Sequence, residues 1–384
     1  MTQPIIYLDN NATTPVDPRV LEAMLPYFSV KFGNAASSHP FGWEARLAVE
    51  NARRSLAACL NAHSPGEIVF TSGATESDNL AIKGVAEAFS DRGNHIITAK
   101  TEHKAVLDSC HHLEKQGFHV TYLEVPEDGL VDLNLLAEAI TEKTILVTLM
   151  AGNNEIGVLQ DVAAIGKLCR ERGVLFHSDA TQAIGKIPFD VQAMHVDLAS
   201  FTAHKFYGPK GAGGLYVRRE GTIPNLIAQT DGGGHEGGYR SGTLNVTGIV
   251  GLAKALELCV EEQKTEIPRL IGLRERLKTG LQSPFPHIVV NGHETQRLPG
   301  HLSLSFANIT GDDLLQNLPD IAASTISACS SGKGAASHVL SALGYSNERA
   351  FSTVRFGIGR FNTSEEIEYT IERISEVIRK STES

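Results

Sequence analysis

The sequence predicts an α/β protein: a mainly parallel sheet flanked by helices, followed by a smaller α+β domain. Three observations predict it. Between about residues 67 and 216, seven short β-rich runs alternate with segments of helical period. Beyond about residue 260, strand-like and helical runs mix without that order. At 384 residues the chain also exceeds the size at which one hydrophobic core usually stops growing, so a large and a small core are expected.

In chain order the first part reads EIVF, then a helix over 75–90; HIITA, then 103–117; HVTYLEV, then 132–141; TILVTLM, then 161–172; and finally VLFHSDA, VDLASFTA and GGLYV. Asp17-Pro18 and Asp161 are suited to cap helices, and Gly117 and Gly173 to end them. A helical stretch from about Val246 to Glu262 is followed by the charged run EEQKTEIPRLIGLRERLK, expected to carry the chain out of the large domain. The second part offers HIVVNG, HLSLSFANI and TVRFGIG as strands, with DDLLQNL, SHVLSALG and Glu365 to Arg379 as helices. The expected division is a large domain over 15–260 and a small one from 1–14 and 261–384.

Composition narrows the function. The formal net charge of −10 argues against nucleic-acid binding. No apolar run is long enough to span a bilayer and no secretory pattern opens the chain, so a cytoplasmic protein is expected. Cys59, Cys110, Cys169, Cys259 and Cys329 are odd in number and widely spaced, which suits neither a disulfide framework nor a zinc site; no metal is expected.

In open α/β sheets ligands gather at the carboxyl ends of strands, and several reactive residues fall there. In TSGATESDN, Gly73-Ala74-Thr75 opens a helix whose N–H groups and dipole suit an anion, although a plain N-cap needs the same residues. Asp179 closes an apolar strand, with Gln182 three residues on; a buried carboxylate needs a cation or donors, while a loop cap is the plainer reading. His103 follows HIITA and suits ring stacking or proton transfer, or simply solvent; Asn153 in AGNNEIG is a turn former by default.

Lys205, between Thr202-Ala203-His204 and a glycine-rich turn, sits where apolar wall and other cations would let it lose its proton and form a Schiff base. A surface lysine is the alternative. An anion cradle, a carboxylate, a stacking histidine and such a lysine on one rim are what pyridoxal phosphate requires. Cys329 lies in SACSSGKGAAS, which has almost no large apolar side chain and is expected to be an exposed, mobile loop over about 325–337. Lys333 would favour the thiolate, and a bystander thiol is the other reading. Arg355, interrupting TVRFGIG, suits a carboxylate or a structural ion pair.

Taken in order, YLDNNATTPVDP, TSGATESDN, HSDATQAIGKI, SFTAHKFYGPKG, GGGHEGGYRSGTLN and SACSSG closely resemble the cysteine desulfurases of the NifS and IscS type. The resemblance implies the aminotransferase-like fold type I, with a seven-stranded large-domain sheet, and a homodimer holding pyridoxal 5'-phosphate on Lys205. It implies phosphate contacts from Ala74, Thr75, Thr202 and His204, and from Thr243 to the neighbouring subunit. His103 would stack on the ring, Asp179 pair with its nitrogen and Gln182 with its phenolic oxygen. Asn34, Asn153 and Arg355 would bind the substrate, and Cys329 would be the nucleophile. L-cysteine would become L-alanine, with the sulfur passed as a persulfide to an acceptor such as an iron-sulfur scaffold. Gly237-Gly238 differs from the arginine-glycine of the family pattern, and GKGAASHVL lacks the acidic and proline residues often found after the cysteine. Three other readings compete: a β-lyase of the same fold that releases pyruvate and ammonia without Cys329, an aminotransferase, and a non-catalytic scaffold in sulfur transfer.

Overall fold

The computed structural model describes residues 5–219, 226–325 and 336–382. The chain opens with strand β1 (Ile6–Tyr7) and helices α1 (Pro18–Met24), α2 (Pro26–Ser29) and α3 (Pro40–Cys59). The alternating part follows: β2 (Ile68–Thr71), α4 (Ala74–Ala88), β3 (His95–Ala99), α5 (Lys104–Glu114), β4 (His119–Leu123), α6 (Leu133–Ala139) and β5 (Thr144–Thr148). It ends with α7 (Val162–Arg172), β6 (Leu175–Asp179), β7 (Leu198–Thr202) and β8 (Gly213–Val217). The local signals act as expected. Asp17 accepts from Arg19 N with Pro18 in the first turn, Asp161 accepts from Ala164 N, and Gly173 ends α7 at φ +69°. Gly117 takes φ +93° but stands beyond the end of α5, after a short turn.

The seven strands from β2 to β8 form one sheet in the order β2-β8-β7-β6-β5-β3-β4. All neighbours are parallel except β8, which runs antiparallel to β2 and β7. β4 lies on one side of β3 and β5 on the other, so the order reverses there and opens a crevice at the strand ends. Both faces are covered. Val49, Leu56, Phe176, Phe201, Leu252 and Leu256 pack on one, and Leu80, Val85, Val106, Leu146 and Leu198 on the other. Strands buried on both faces need the near-continuous apolar runs seen in the sequence.

The two glycines of GGLYV permit a close approach. A Cβ on Gly213 would lie 2.6 Å from Gly73 Cα, and one on Gly214 would lie 2.5 Å from the Phe201 ring. The loop that opens α4 therefore rests directly on the backbone of β8.

The rest of the chain comprises α8 (Val246–Gln282), β9 (Val289–Val290), β10 (His301–Ser305), α9 (Gly311–Gln316), β11 (Ile321–Ala322) and β12 (Ser324–Thr325). After these come α10 (His338–Ala342), α11 (Asn347–Phe351), β13 (Thr353–Gly357) and α12 (Ser364–Thr382). A four-stranded sheet, β12-β13-β10-β9, packs with α12 and the end of α8 around a second core, and β1 pairs with β11 beside it. The helix expected to stop near Glu262 continues to Gln282 through Pro268. Proline forfeits one helical hydrogen bond. Continuation nevertheless buries Leu270, Leu273, Leu277 and Leu281, whose spacing matches one helix face. One helix thus serves both cores. Among the described residues, no helix is long and apolar enough to cross a membrane.

Asp17 joins the chain's two ends. Its carboxylate accepts from Arg19 Nε (3.0 Å) and Nη2 (2.8 Å) and from Arg360 Nη1 (2.7 Å), and both arginines also meet Glu262 on α8. The hydrogen bonds from Arg19 hold the Asp17 carboxyl far below its ordinary range. A depressed folded-state pKa contributes stability that is present above the unfolded value of about 3.9 and is lost as the pH falls below it.

Two stability predictions follow from these contacts. Asp17→Asn should destabilise the protein by about 1–3 kcal/mol at pH 7, with the deficit shrinking steadily below pH 4, as read by denaturant titrations at several pH values. Gly213→Ala should cost about 1–3 kcal/mol in the same assay, because its Cβ meets backbone that has no rotamer to change.

Candidate active site

The carboxyl ends of β2, β3, β5, β6 and β7 share one edge, and a cavity of roughly 680 Å³ lies above it. Its lining brings together residues far apart in sequence. Ala74 and Thr75 come from the start of α4, His103 from beyond β3, Asp179 and Gln182 from the end of β6, and Thr202, His204 and Lys205 from the end of β7. Arg355, on β13, closes the cavity from the second sheet.

The anion cradle is built by the backbone. Gly73 offers α4 no capping side chain, so the first-turn N–H groups face the cavity beside Thr75, and the dipole of a 15-residue helix adds to their pull on an anion. Thr202 Oγ1 donates to Ala212 O (3.2 Å), which fixes that hydroxyl above Gly73. The His204 ring meets Thr13 Oγ1 at 3.2 Å. Burial, reinforced by Lys205, Lys210 and Lys186, pushes its pKa down to about 4, so the ring is neutral at pH 7.

Lys205 Nζ donates to the carbonyl oxygens of Asn11 (2.8 Å) and Ala12 (2.7 Å). Asp179, in the same cavity and 5% exposed, has Oδ1 accepting from Thr181 N. Two further carboxyls, Asp78 and Glu102, lie near it with almost no exposure. Burial and the charge of Asp179 hold both well above the ordinary carboxyl range. His177, enclosed between Thr148 Oγ1 (2.8 Å) and Ser200 Oγ (2.9 Å), is pushed down to about 4 by burial.

His103 Nδ1 accepts from Ala105 N (3.1 Å) and so caps α5. Burial lowers its pKa, and a neutral ring using Nδ1 as an acceptor carries its proton on Nε2. Arg355, 3% exposed, spans Asp9 Oδ1 (2.9 Å) and Asn154 O (3.0 Å), leaving Nε without a protein partner. It is an ion pair and a cavity wall at once.

Three expected residues do not line this cavity. Asn153 is buried, its Nδ2 donating to Thr101 O and its Oδ1 accepting from Glu155 N and Ile156 N. Its amide is spent on the turn that presents Asn154 and Glu155, which is the turn-forming role its sequence context suggests. Asn34 is exposed and lines a separate cavity with Arg46, Arg53 and Glu236. Thr243 is exposed on the loop before α8. Cys329 and Lys333 lie outside the described residues. Conversely, the site uses residues that sequence reasoning passed over. Asn11 and Ala12 form its floor, Asp9 anchors Arg355, and Glu155 accepts from Ser337 Oγ across the rim. The run LDNNATT after β1 was the available signal, since adjacent turn formers rarely follow a buried strand without a task.

The donor set fits pyridoxal 5'-phosphate. An uncapped helix start suits the phosphate, a buried aspartate suits a protonated ring nitrogen, and a lysine lines the same cavity.

Comparison with known proteins agrees with this geometry. The Aminotransferase class-V family model matches residues 6–370. The chain is 56% identical over 376 residues to a protein of Anaeromyxobacter dehalogenans named cysteine desulfurase IscS, covering 98% of this chain and 93% of that one. A protein of the same name from Vibrio campbellii is 54% identical over 378 residues, at 98% and 93% coverage. Among solved structures, a NifS-like protein aligns with a TM-score of 0.90 at 43% identity, over 98% of this chain and 99% of that one. A protein titled SspA in complex with cysteine aligns at 0.81 and 35% identity, over 93% and 100%. Family model, sequence identity and overall fold agree, and the chain belongs to the class-V aminotransferase family, with its fold type I architecture.

Proposed function

We propose that the protein is a pyridoxal phosphate-dependent cysteine desulfurase that converts L-cysteine to L-alanine and holds the released sulfur as a persulfide on Cys329. The meeting of Lys205, Asp179, His103 and the start of α4 in one cavity carries this reading, supported by the cysteine desulfurases among its relatives.

Each residue has a task set by its surroundings. The first turn of α4, with Ala74, Thr75, Thr202 and His204, would hold the phosphate, and Asp179 the proton on the ring nitrogen. Gln182 would donate to the phenolic oxygen, and His103 would cover the ring face. Lys205 would bind the cofactor covalently. When bound, the cofactor supplies a conjugated ring that accepts the electron pair released at the substrate Cα. Arg355 would take the substrate carboxylate, its guanidinium already oriented by Asp9 and Asn154. The Lys205 amine, with the Nε2 proton of His103 in reach, would move the proton at Cα. The Cys329 thiolate would attack the substrate sulfur: a sulfur–sulfur bond forms, the carbon–sulfur bond breaks, and its electron pair stays on carbon, which takes a proton to give alanine. Asn153 would act on substrate indirectly, through the turn that presents Asn154 and Glu155 to the cavity.

The other thiols are poor rivals for that role. Burial pushes Cys110 and Cys169 up to about 12 and Cys59 and Cys259 up to about 11, far from a thiolate at neutral pH. Free thiols suit a reducing cytoplasm, where we place the enzyme. We also propose a homodimer. Leu21, Leu25, Phe28, Val30, Phe32, Phe41, Trp43 and Leu47 are all about half or more exposed along α1 to α3, a concentration that a second copy would cover. Thr243 would then reach the neighbouring subunit's phosphate. The sulfur acceptor would be a protein such as an iron-sulfur scaffold.

Two measurements test the reading. The wild type should form alanine from L-cysteine in the presence of a thiol reductant. Cys329→Ala should lose that product while keeping the yellow colour of the loaded enzyme; pyruvate and ammonia from both would identify a β-lyase. Lys205→Ala should lose the covalently held chromophore, and Asp179→Asn should keep it but turn over about 10²–10³-fold more slowly, judged by single-turnover kinetics.

A further inference from the structure

Lys186 has no part in the chemistry above, yet its Nζ ends 2.6 Å from Gln182 Oε1. The same oxygen accepts from Asn11 Nδ2 at 3.2 Å, while Gln182 Nε2 donates to Asn11 O at 2.9 Å. An amide has one oxygen and two N–H groups. Here the oxygen is taken up by two donors and one N–H by the Asn11 carbonyl, so a single N–H is left to face the cavity, which Gln182 lines.

Lys186 reaches this point through a small closed space behind the site, shared with Asn10, Thr14, Tyr207 and His301. It comes from the turn after Gly185, whose φ of +80° and approach to the Phe206 ring leave no room for a side chain. The charged and titratable groups around Lys186 include Lys205, Arg355, Cys259, Tyr207, His204 and His301. None is a carboxylate, so the ammonium has no counter-ion among them. Burial, with Lys205 and Arg355, pushes Lys186 down to about 7. A lysine amine keeps N–H groups whether protonated or not, so its bond to Gln182 survives that titration.

We propose that Lys186 is a positioning residue that locks the Gln182 amide with its oxygen turned away from the cavity, so that Gln182 acts on the bound cofactor only as a hydrogen-bond donor. The inference rests on the role proposed above for Gln182. Without Lys186 the amide oxygen keeps only the longer bond from Asn11, so the turned amide, which presents its carbonyl, gains population and exchanges an attraction for a repulsion at the phenolic oxygen. A donor there stabilises the oxygen's negative charge and lowers the pH at which the loaded chromophore loses its proton.

The test is a double-mutant cycle read in the visible absorbance of the loaded enzyme against pH. Gln182→Leu should raise the titration midpoint by about one pH unit, the scale expected from one lost hydrogen bond to a charged group. Lys186→Met should raise it similarly in the wild type, and by less than a third of that in the Gln182→Leu background. Equal shifts in both backgrounds would mean that the charge of Lys186 acts directly on the chromophore, and would overturn the proposal. So would no shift in Lys186→Met where Gln182→Leu shifts. No shift in Gln182→Leu itself would remove the role of Gln182 on which the inference rests. Lys186→Leu is carried through in parallel, so that one misfolded variant leaves a complete cycle. Thermal melting without cofactor separates lost stability from lost orientation.

Discussion

Parallel pairing of β3, β5, β6 and β7 is the constraint on which the rest of the structure depends. Strands that run the same way end at the same edge, so His103, Asp179 and Lys205 arrive within one cavity although about a hundred residues separate the first from the last. β2 joins them only because β8 runs backwards between it and β7. Gly213 on β8 then lets the start of α4 rest on the sheet, since a side chain there would meet Gly73. Catalytic geometry and backbone packing are the same contact at this point.

Electrostatics in the site follows from burial. Desolvation raises Asp78 and Glu102 well above the ordinary carboxyl range and lowers His177 and His204 to about 4, so burial sets the electrostatic surroundings of Asp179 at one end and of Lys205, Lys210 and Arg355 at the other. A cofactor with an anionic phosphate and a basic ring nitrogen meets complementary charge at each end. The floor beneath it comes from the N-terminal segment, where the carbonyls of Asn11 and Ala12 hold Lys205 and the side chain of Asn11 holds Gln182. The second sheet is tied to that same segment. β1 pairs with β11, Asp9 binds Arg355, and Asp17 binds Arg360.

Most of the sheet was legible because its strands are apolar, short and bounded by turn residues, and the charged ends stood out against them. α8 was misread for a local reason. Pro268 and the charges around it suggest an ending, whereas Leu270, Leu273, Leu277 and Leu281 gain enough from burial to carry the helix on. Asn153 shows the opposite limit. Its sequence context allowed both a turn and a ligand contact, and the hydrogen bonds to Glu155 and Ile156 assign its amide to the turn.

By itself the sequence determined the kinds of chemistry available, because residue types at strand ends follow from local composition and patterning. It carried the glycine-opened helix, the aspartate, the lysine and the isolated thiol in that order along the chain. Tertiary structure alone decided which of them meet. Whether Lys186 lies under Gln182, whether Asp9 orients Arg355, and which way the Gln182 amide faces depend on packing between segments up to 346 residues apart, and no local signal encodes such a distance.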